Sequence, residues 1–196
     1  MKVIISHDID HMTVWEHTKD LILPKYVMRN HLDLFKGTIS FKEYVMRWAD
    51  FGKNKWQRIQ EIMDFNQSQG IRSNFFIGVN NGVGLNYSLK HVKKWVPRIK
   101  KQGFEVGVHG IEYDTIEKVQ AEFDTFSEIS KTTDFGIRMH YLRQNEHTFE
   151  YMEKSGYRFD ASESGFKNPY KIGKMWEFPL QIMEGWVFYQ GKRHQS

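Results

Sequence analysis

The sequence predicts an α/β fold in a single domain spanning residues 1–196. Short apolar runs recur along the chain, and segments with apolar residues at helical spacing separate them. A hydrophobic content of 40%, with 15% aromatic residues, is sufficient for one sizeable core. Strands that alternate with helices indicate parallel strands joined by right-handed crossovers. Either an open doubly wound sheet or a closed or distorted (β/α) barrel satisfies this pattern.

Buried strands are expected in segments that are apolar and bounded by polar or glycine residues. In chain order these are residues 2–6, 74–79, 104–109, 137–141, 158–162, 177–183 and 186–189. Helical spacing precedes the second, third and fourth of them, around Ile59, Val92 and Val119. The segment 12–53 is long for a barrel connection, so we expect this insertion to fold partly over the mouth of the barrel.

The composition limits the kinds of site and partner. The chain contains no cysteine, so a metal ion must be held by histidine, carboxylate, carbonyl or water. The net charge of +4 is concentrated around residues 90–101, where a solvated helix face is a simpler explanation than a nucleic-acid partner. No apolar run approaches the roughly 20 residues of a membrane span, and the N-terminal run is too short for a signal peptide. We therefore expect a cytoplasmic protein.

Two carboxylates lie at the end of the first predicted strand. Alternate side chains of a strand share a face, so Asp8 and Asp10 point the same way while Ile9 points into the core. Such a pair is suited to binding a divalent metal ion with one member and serving as a base with the other. The alternative is a turn at the start of a loop, with an aspartate capping a helix.

The third and fourth predicted strands also carry polar side chains at their ends. His109 shares a strand face with Glu105, and Arg138 shares one with His140. Because the carboxyl ends of parallel strands meet at one face of the fold, these residues are expected near Asp8 and Asp10. Arg138 could orient a catalytic carboxylate or form a surface ion pair. Asp114 could join the site or cap the next helix.

These residues resemble the motifs of the polysaccharide deacetylase superfamily, carbohydrate esterases that remove acetyl groups from sugars on a distorted (β/α) barrel. Residues 6–10 (SHDID) are similar to the family's paired-aspartate motif, and residues 103–109 (GFEVGVH) to its Gly-x-Glu-x-Gly-x-His run. Arg138 resembles the arginine that pairs with the base in this family, and residues 156–162 resemble the helix-to-strand step that family members use at the substrate side. The resemblance implies a distorted or incomplete (β/α) barrel of about seven strands, since the chain is shorter than the ~250 residues of a typical eight-stranded barrel.

The resemblance also implies roles for individual residues. Asp8 would be the base, Arg138 its partner, and Asp10 and His109 metal ligands. The family's second metal-binding histidine falls on Tyr113, so a third ligand must come from elsewhere. We favour Asp114, which shares a short loop with His109; His140 and His11 are the alternatives.

The remaining roles follow from the chemistry of amide hydrolysis. His140 is the hypothesis for the acid that protonates the leaving nitrogen, because the terminal histidine of the family has no counterpart except His194 in a polar tail. Tyr113 and Asp160 occupy motif positions on the substrate side.

The predicted function is hydrolysis of the acetyl group of an N-acetylated sugar, with one divalent metal ion, Zn²⁺ first among the choices. A surface-polysaccharide precursor is the expected substrate. The alternative is a catalytically impaired carbohydrate-binding relic of the same fold. The His7-Asp8 dipeptide also occurs in metal-dependent phosphohydrolases, but that family is all-helical, whereas His7 and Asp8 follow a strand.

Overall fold

The computed structural model describes residues 3–18, 20–54 and 56–184, which form seven strands and six α-helices. The strands are β1 (Ile5–Ile9), β2 (Ser73–Ile77), β3 (Glu105–Gly110), β4 (Ile137–Met139), β5 (Phe159–Asp160), β6 (Tyr170–Ile172) and β7 (Met175–Glu177). The helices are α1 (Ile22–Phe35), α2 (Phe41–Gly52), α3 (Ile59–Ser68), α4 (Leu89–Lys101), α5 (Ile116–Ser130) and α6 (Thr148–Ser155). Two short 3₁₀ helices, Val14–His17 and His140–Leu142, complete the set.

The strands form one sheet in the order β1-β2-β3-β4-β5-β7-β6. All pairings described are parallel except that of β6 with β7, which is antiparallel. In the part of the chain that the structure describes, β1 and β6 are the ends of this order and do not pair with each other. The α/β prediction of about seven strands in an incomplete barrel is confirmed.

Contacts divide the chain into two compact units, Met1–Val106 and Gly107–Ser196, and the division falls inside β3. In the first unit β2 is buried along its whole length and pairs in register with β1, from Ile5 opposite Ser73 to Ile9 opposite Ile77. The apolar faces of α3 and α4 supply further core residues of this unit: Ile59, Met63, Val92, Trp95, Val96 and Ile99. Burial of this apolar surface fixes the positions of β1 and β2.

The second unit contains the short strands β4 to β7 and the helices α5 and α6. Its core includes a cluster of aromatic rings packed edge to face or tilted, with centroids 4.8–5.7 Å apart: Phe123, Phe126, Phe135 and Tyr157. Gly136, at the start of β4, has no room for a side chain, because an added Cβ would lie 2.4 Å from the ring of Phe159. Packing around β4 therefore depends on a glycine there.

The strand predictions differ from the structure at both ends of the sheet. The first strand begins at Ile5 rather than residue 2, since Val3 and Ile4 are 69% exposed. The strand predicted at 177–183 is wrong, because β7 ends at Glu177, the only residue that the two share. β6 was not predicted, because its three residues include an exposed lysine. Residues 186–189 lie outside the described residues.

The insertion 12–53 contains the 3₁₀ helix Val14–His17, α1 and α2. A reciprocal capping box between Ser40 and Glu43 begins α2. The place of this insertion over the site and the single-domain organisation stay predictions. No helix in the described ranges is long and apolar enough to cross a membrane.

Candidate metal centre

The end of β1 presents two carboxylates on either side of a buried residue. Asp8 is exposed and Asp10 is half-buried, whereas Ile9 between them is 6% exposed. The buried hydroxyl of Tyr87 donates to the Ile9 carbonyl at 2.9 Å and accepts a hydrogen bond from the Gly78 amide at 2.6 Å. Tyr87 therefore ties the end of β1 to the residue that follows β2, and thereby fixes the backbone that carries both aspartates.

His109, in β3, has a defined tautomer. Its Nδ1 atom lies 3.0 Å from the backbone carbonyl oxygen of Arg138, which can only accept a hydrogen bond. The proton of a neutral His109 is therefore on Nδ1, and the lone pair is on Nε2. Metal-binding histidines characteristically donate their other ring N–H to a carbonyl or carboxylate in this way.

His140 follows β4 directly and faces His109. The Nδ1 atom of His140 lies 3.1 Å from Nε2 of His109, and both residues are nearly fully buried. The two rings meet edge to face, with centroids 5.0 Å apart and an interplanar angle of 86°. The two nitrogens therefore lie within hydrogen-bonding distance of each other, with the His109 lone pair as the acceptor.

A metal ion could be held where at least three histidine, aspartate or glutamate side chains lie close together. Among the described residues there is one such group, formed by Asp10, His109 and His140. One potential ligand atom from each lies within 4.8 Å of the others. Two ligand atoms about 2.0–2.1 Å from a tetrahedral ion are about 3.3 Å apart, which is close to the His109–His140 separation. A set of one carboxylate and two imidazoles fits an open site for Zn²⁺ or a similar divalent ion.

Asp114, the favoured third ligand, is not in this group and is replaced in it by His140. The Asp114 side chain is 49% exposed and its carboxylate lies 3.0 Å from Nζ of Lys118. The hydrogen bond from Lys118 lowers the pKa of Asp114. Asp114 does not cap α5 either, since the side chain of Thr115 accepts the hydrogen bond from the Lys118 amide.

The loop that follows His109 is held by side chains from both ends of its unit. The buried carboxylate of Glu122 accepts hydrogen bonds from the amides of Ile111 and Glu112 at 3.2 and 3.3 Å, and burial raises its pKa to about 7. Arg143 donates to the Ile111 carbonyl at 2.5 Å, and its guanidinium lies 5.0 Å from the ring centroid of Tyr113. Tyr113, predicted to contact substrate, thus packs beside an arginine, and its contact with substrate stays a prediction.

The chain reverses sharply after His140. Tyr141 and Leu142 both adopt left-handed backbone conformations, with φ of 58° and 52°. Such conformations cost non-glycine residues roughly 1–2 kcal/mol each. The ring of Tyr141 lies 4.0 Å from that of His140. Strain of this kind is concentrated at functional sites, and here it immediately follows a candidate ligand.

Arg138 is 6% exposed, and its Nε donates to the Ala161 carbonyl at 3.1 Å. Its pairing with Asp8 stays a prediction.

A partly buried chain of polar side chains that the sequence did not indicate follows Asp10. His11 Nδ1 lies 3.0 Å from Nε2 of the buried His17, and His17 Nδ1 lies 2.8 Å from the Asp20 carboxylate. The three residues are three to six positions apart without a strand or helix in common, so periodicity does not reveal them.

Asp160, predicted on the substrate side, is fully buried beside Glu177. The two are register partners on β5 and β7, and both are 0% exposed. Asp160 accepts hydrogen bonds from the amide and hydroxyl of Ser162 at 3.0 and 2.6 Å, and Glu177 accepts one from the Glu163 amide at 3.1 Å. Asp160 therefore has the environment of a structural residue and presents no oxygen to a ligand.

The buried Asp160–Glu177 pair predicts a stability that falls as the pH rises. Burial raises the pKa of both groups, that of Glu177 to about 10, so the folded protein keeps a proton that the unfolded chain releases above a pKa of 4.5. Stability is then lost between these two values. Glu177→Gln, which supplies a neutral donor to Asp160, should match the wild type near pH 5. Near pH 9 it should be more stable by at least about 1 kcal/mol, or about 2–4 °C in Tm.

Thermal unfolding at these two pH values measures the effect. Glu146→Gln, a change at an exposed glutamate, is the control and should follow the wild type at both. If the difference in Tm between Glu177→Gln and the wild type is the same at pH 5 and pH 9, the folded protein does not keep the extra proton on the Asp160–Glu177 pair.

The comparisons with known proteins bear on the fold. No protein-family model and no curated protein matches the sequence. A solved structure from Mycobacterium smegmatis, assigned by its name to the polysaccharide deacetylases, is similar over 91% of this chain with a TM-score of 0.57 and 12% identity. This chain spans 58% of the length of that structure.

Two further structures are similar at lower scores. One is named a polysaccharide deacetylase involved in O-antigen biosynthesis, from Bordetella bronchiseptica, with TM-score 0.40, 19% identity and coverage of 62% of this chain and 50% of the other. The other is the Streptococcus pyogenes deacetylase PplD in complex with acetate, with TM-score 0.40, 12% identity and coverage of 90% and 91%. The similarity to the Mycobacterium structure shows that this chain has the polysaccharide deacetylase fold, which confirms the family resemblance at the level of the fold.

Proposed function

We propose that the protein is a metal-dependent hydrolase that removes the acetyl group from an N-acetylated sugar. The observation that carries this proposal is the group of Asp10, His109 and His140, in which the Arg138 carbonyl fixes the tautomer of His109. A purely structural histidine pair would not need a carboxylate beside it. The group instead has the composition of an open hydrolytic metal site.

Asp10, His109 and His140 would hold the ion, and Zn²⁺ is the ion that we propose. When bound in such an open site, a divalent ion polarises the acetyl carbonyl and lowers the pKa of a water molecule. The three ligands leave a coordination position for water and substrate. The fixed His109 ring and the sharp turn after His140 keep the two imidazoles in place without reorganisation.

Asp8 would remove the proton from the attacking water. It lies in β1, two positions before Asp10, but outside the metal group, and it is exposed, so it is accessible to water and substrate. Arg138 would hold the Asp8 carboxylate in its charged form. Attack on the acetyl carbon forms the new C–O bond, and collapse of the tetrahedral intermediate breaks the C–N bond.

The leaving nitrogen also needs a proton. An imidazole that binds an ion through one nitrogen has committed that lone pair, so His140 as a ligand cannot serve as the ordinary acid of the reaction. We assign this step to Asp8 as well, which returns to the nitrogen the proton that it took from water. Free acetate and an amino sugar are the products.

A metal titration combined with an acetate assay tests the proposal. The protein is stripped of divalent ions with a chelator, and acetate release from N-acetylated sugars is measured before and after addition of Zn²⁺. The expected result is one ion per chain and acetate release that depends on it. A panel of free, nucleotide-linked and polymeric sugars tests the predicted surface-polysaccharide precursor. A chain that binds no divalent ion specifically and releases no acetate would instead be a carbohydrate-binding relic.

A further inference from the structure

A pocket of about 500 Å³ lies within the first unit, and Tyr87, whose hydroxyl donates to the Ile9 carbonyl at the end of β1, is part of its lining. Six residues that line it carry the argument: Trp15, Glu16, Asp20, Asn81, Asn86 and Tyr87. Two aromatic side chains and several hydrogen-bonding groups thus surround a space large enough for a small ligand. None of these residues belongs to the metal group.

Trp15 is held outward by its own helix. The 3₁₀ helix Val14–His17 buries Val14 and His17 completely, whereas Trp15 between them is 62% exposed. The indole therefore forms an apolar wall of the pocket. Exposed apolar side chains need no explanation when they are scattered, but this one lines a concave pocket whose rim carries polar groups.

The polar rim of the pocket is already ordered. Asn86 donates to the Asp20 carboxylate at 2.9 Å, and Asn81 accepts from the Tyr87 amide at 3.0 Å through its oxygen. These bonds assign each amide, so Asn86 offers its oxygen and Asn81 its nitrogen to a ligand. Glu16 accepts from the Ser88 amide at 2.8 Å, which holds a second carboxylate at the rim.

Tyr87 connects the pocket to the proposed site. It lines the pocket, and its hydroxyl donates to the carbonyl of Ile9, the residue between Asp8 and Asp10. A ligand in the pocket would therefore lie next to the strand end that carries the proposed base. The pocket is suited to a part of the substrate that does not itself react.

We propose that this pocket binds a neutral or amino sugar ring adjacent to the acetylated one. This inference rests on the proposed function and extends it to the substrate class. A pyranose presents C–H bonds on one face and hydroxyls around its edge, which match the indole wall and the rim of amides and carboxylates. Glu16 and Asp20 disfavour sugars that carry phosphate or carboxylate while the histidines beside them are neutral, since like charges repel in a partly desolvated site. These histidines are His91, 3.5 Å from Glu16, and His17, 2.8 Å from Asp20.

Sugar binding to the metal-free protein tests this pocket separately from catalysis. With N,N′-diacetylchitobiose as the probe and calorimetry or ligand-observed NMR as the measurement, Trp15→Ala should bind about five- to tenfold more weakly than the wild type, and Trp15→Phe should recover most of the loss. Trp176→Ala is the matched control, because Trp176 is also exposed, at 41%, but lies outside the pocket. It should bind like the wild type.

Glucuronic acid tests the charge preference. The wild type should bind glucuronic acid more weakly than glucosamine. Glu16→Gln keeps an oxygen that accepts the hydrogen bond from the Ser88 amide but removes the charge, so it should reduce the difference in affinity between the two sugars. Circular dichroism checks that each variant folds. Equal binding by Trp15→Ala and the wild type, or no binding of the chitobiose probe, would overturn the pocket proposal. Binding that depends on Trp15 in a protein that releases no acetate would uphold the pocket and reject the hydrolase.

Discussion

His140→Ala is expected to lose the bound divalent ion, with an affinity at least about 100-fold below that of the wild type, since even residues that only support a ligand contribute about 10–100-fold. Turnover should fall by a similar or greater factor at a fixed metal concentration and recover in part when excess metal is added. The physical reason is that His140 supplies one of three ligand atoms that lie within 4.8 Å of one another. Metal titration by calorimetry, followed by the acetate assay, measures both quantities.

The same variant distinguishes two roles for His140. A proton donor could be removed with a loss of turnover while the ion stays bound, whereas a ligand cannot. Asp114→Asn is the matched control, because Asp114 was the ligand favoured by the sequence and is paired with Lys118 outside the group. This control should keep both metal and activity. Retention of metal by His140→Ala together with loss of metal by Asp114→Asn would restore the ligand set predicted from the sequence.

The exchange of Asp114 for His140 shows which information the sequence lacks. Asp114 appears close to His109 because only four residues separate them, but loop residues that are neighbours in the chain need not point the same way. His140 is thirty-one positions away, and its place is set by the pairing of β3 with β4, in which His109 lies opposite Arg138. Strand register, with the left-handed turn at Tyr141, is a tertiary property that periodicity does not contain.

Strand alternation was sufficient to predict the pattern of burial at the end of β1. The paired aspartates follow from a period of two residues, and the burial of Ile9 agrees with it. The role of Asp160 came from the family resemblance instead, and the resemblance did not indicate that a polar residue at the end of a strand can face a buried partner as well as solvent. Only the register of β5 against β7 brings Glu177 beside it. The alternation of strands and helices predicted the fold class, and the hairpin of β6 with β7 was too short and polar to be recognised.

Asp8→Asn should abolish most of the turnover while leaving metal binding unchanged. Removal of a general base lowers rates by about 10²–10⁴-fold, and asparagine keeps the size of the side chain while it cannot accept the proton. Asp8 is not among the grouped ligands, and it is exposed, so the substitution should affect neither the ion nor the folding. Acetate release and metal titration are measured on the same preparation.

Asp10→Asn is the matched comparison, because the two aspartates lie at the same end of β1 and differ in their proposed roles. Asp10→Asn should lose metal and activity together, whereas Asp8→Asn should lose activity alone. Activity in Asp8→Asn within a factor of a few of the wild type would exclude Asp8 as the base, and loss of its metal would make it a ligand. The separation of metal binding from turnover between two residues only two positions apart is therefore the most direct test of the separate roles proposed for Asp8 and Asp10 at the end of β1.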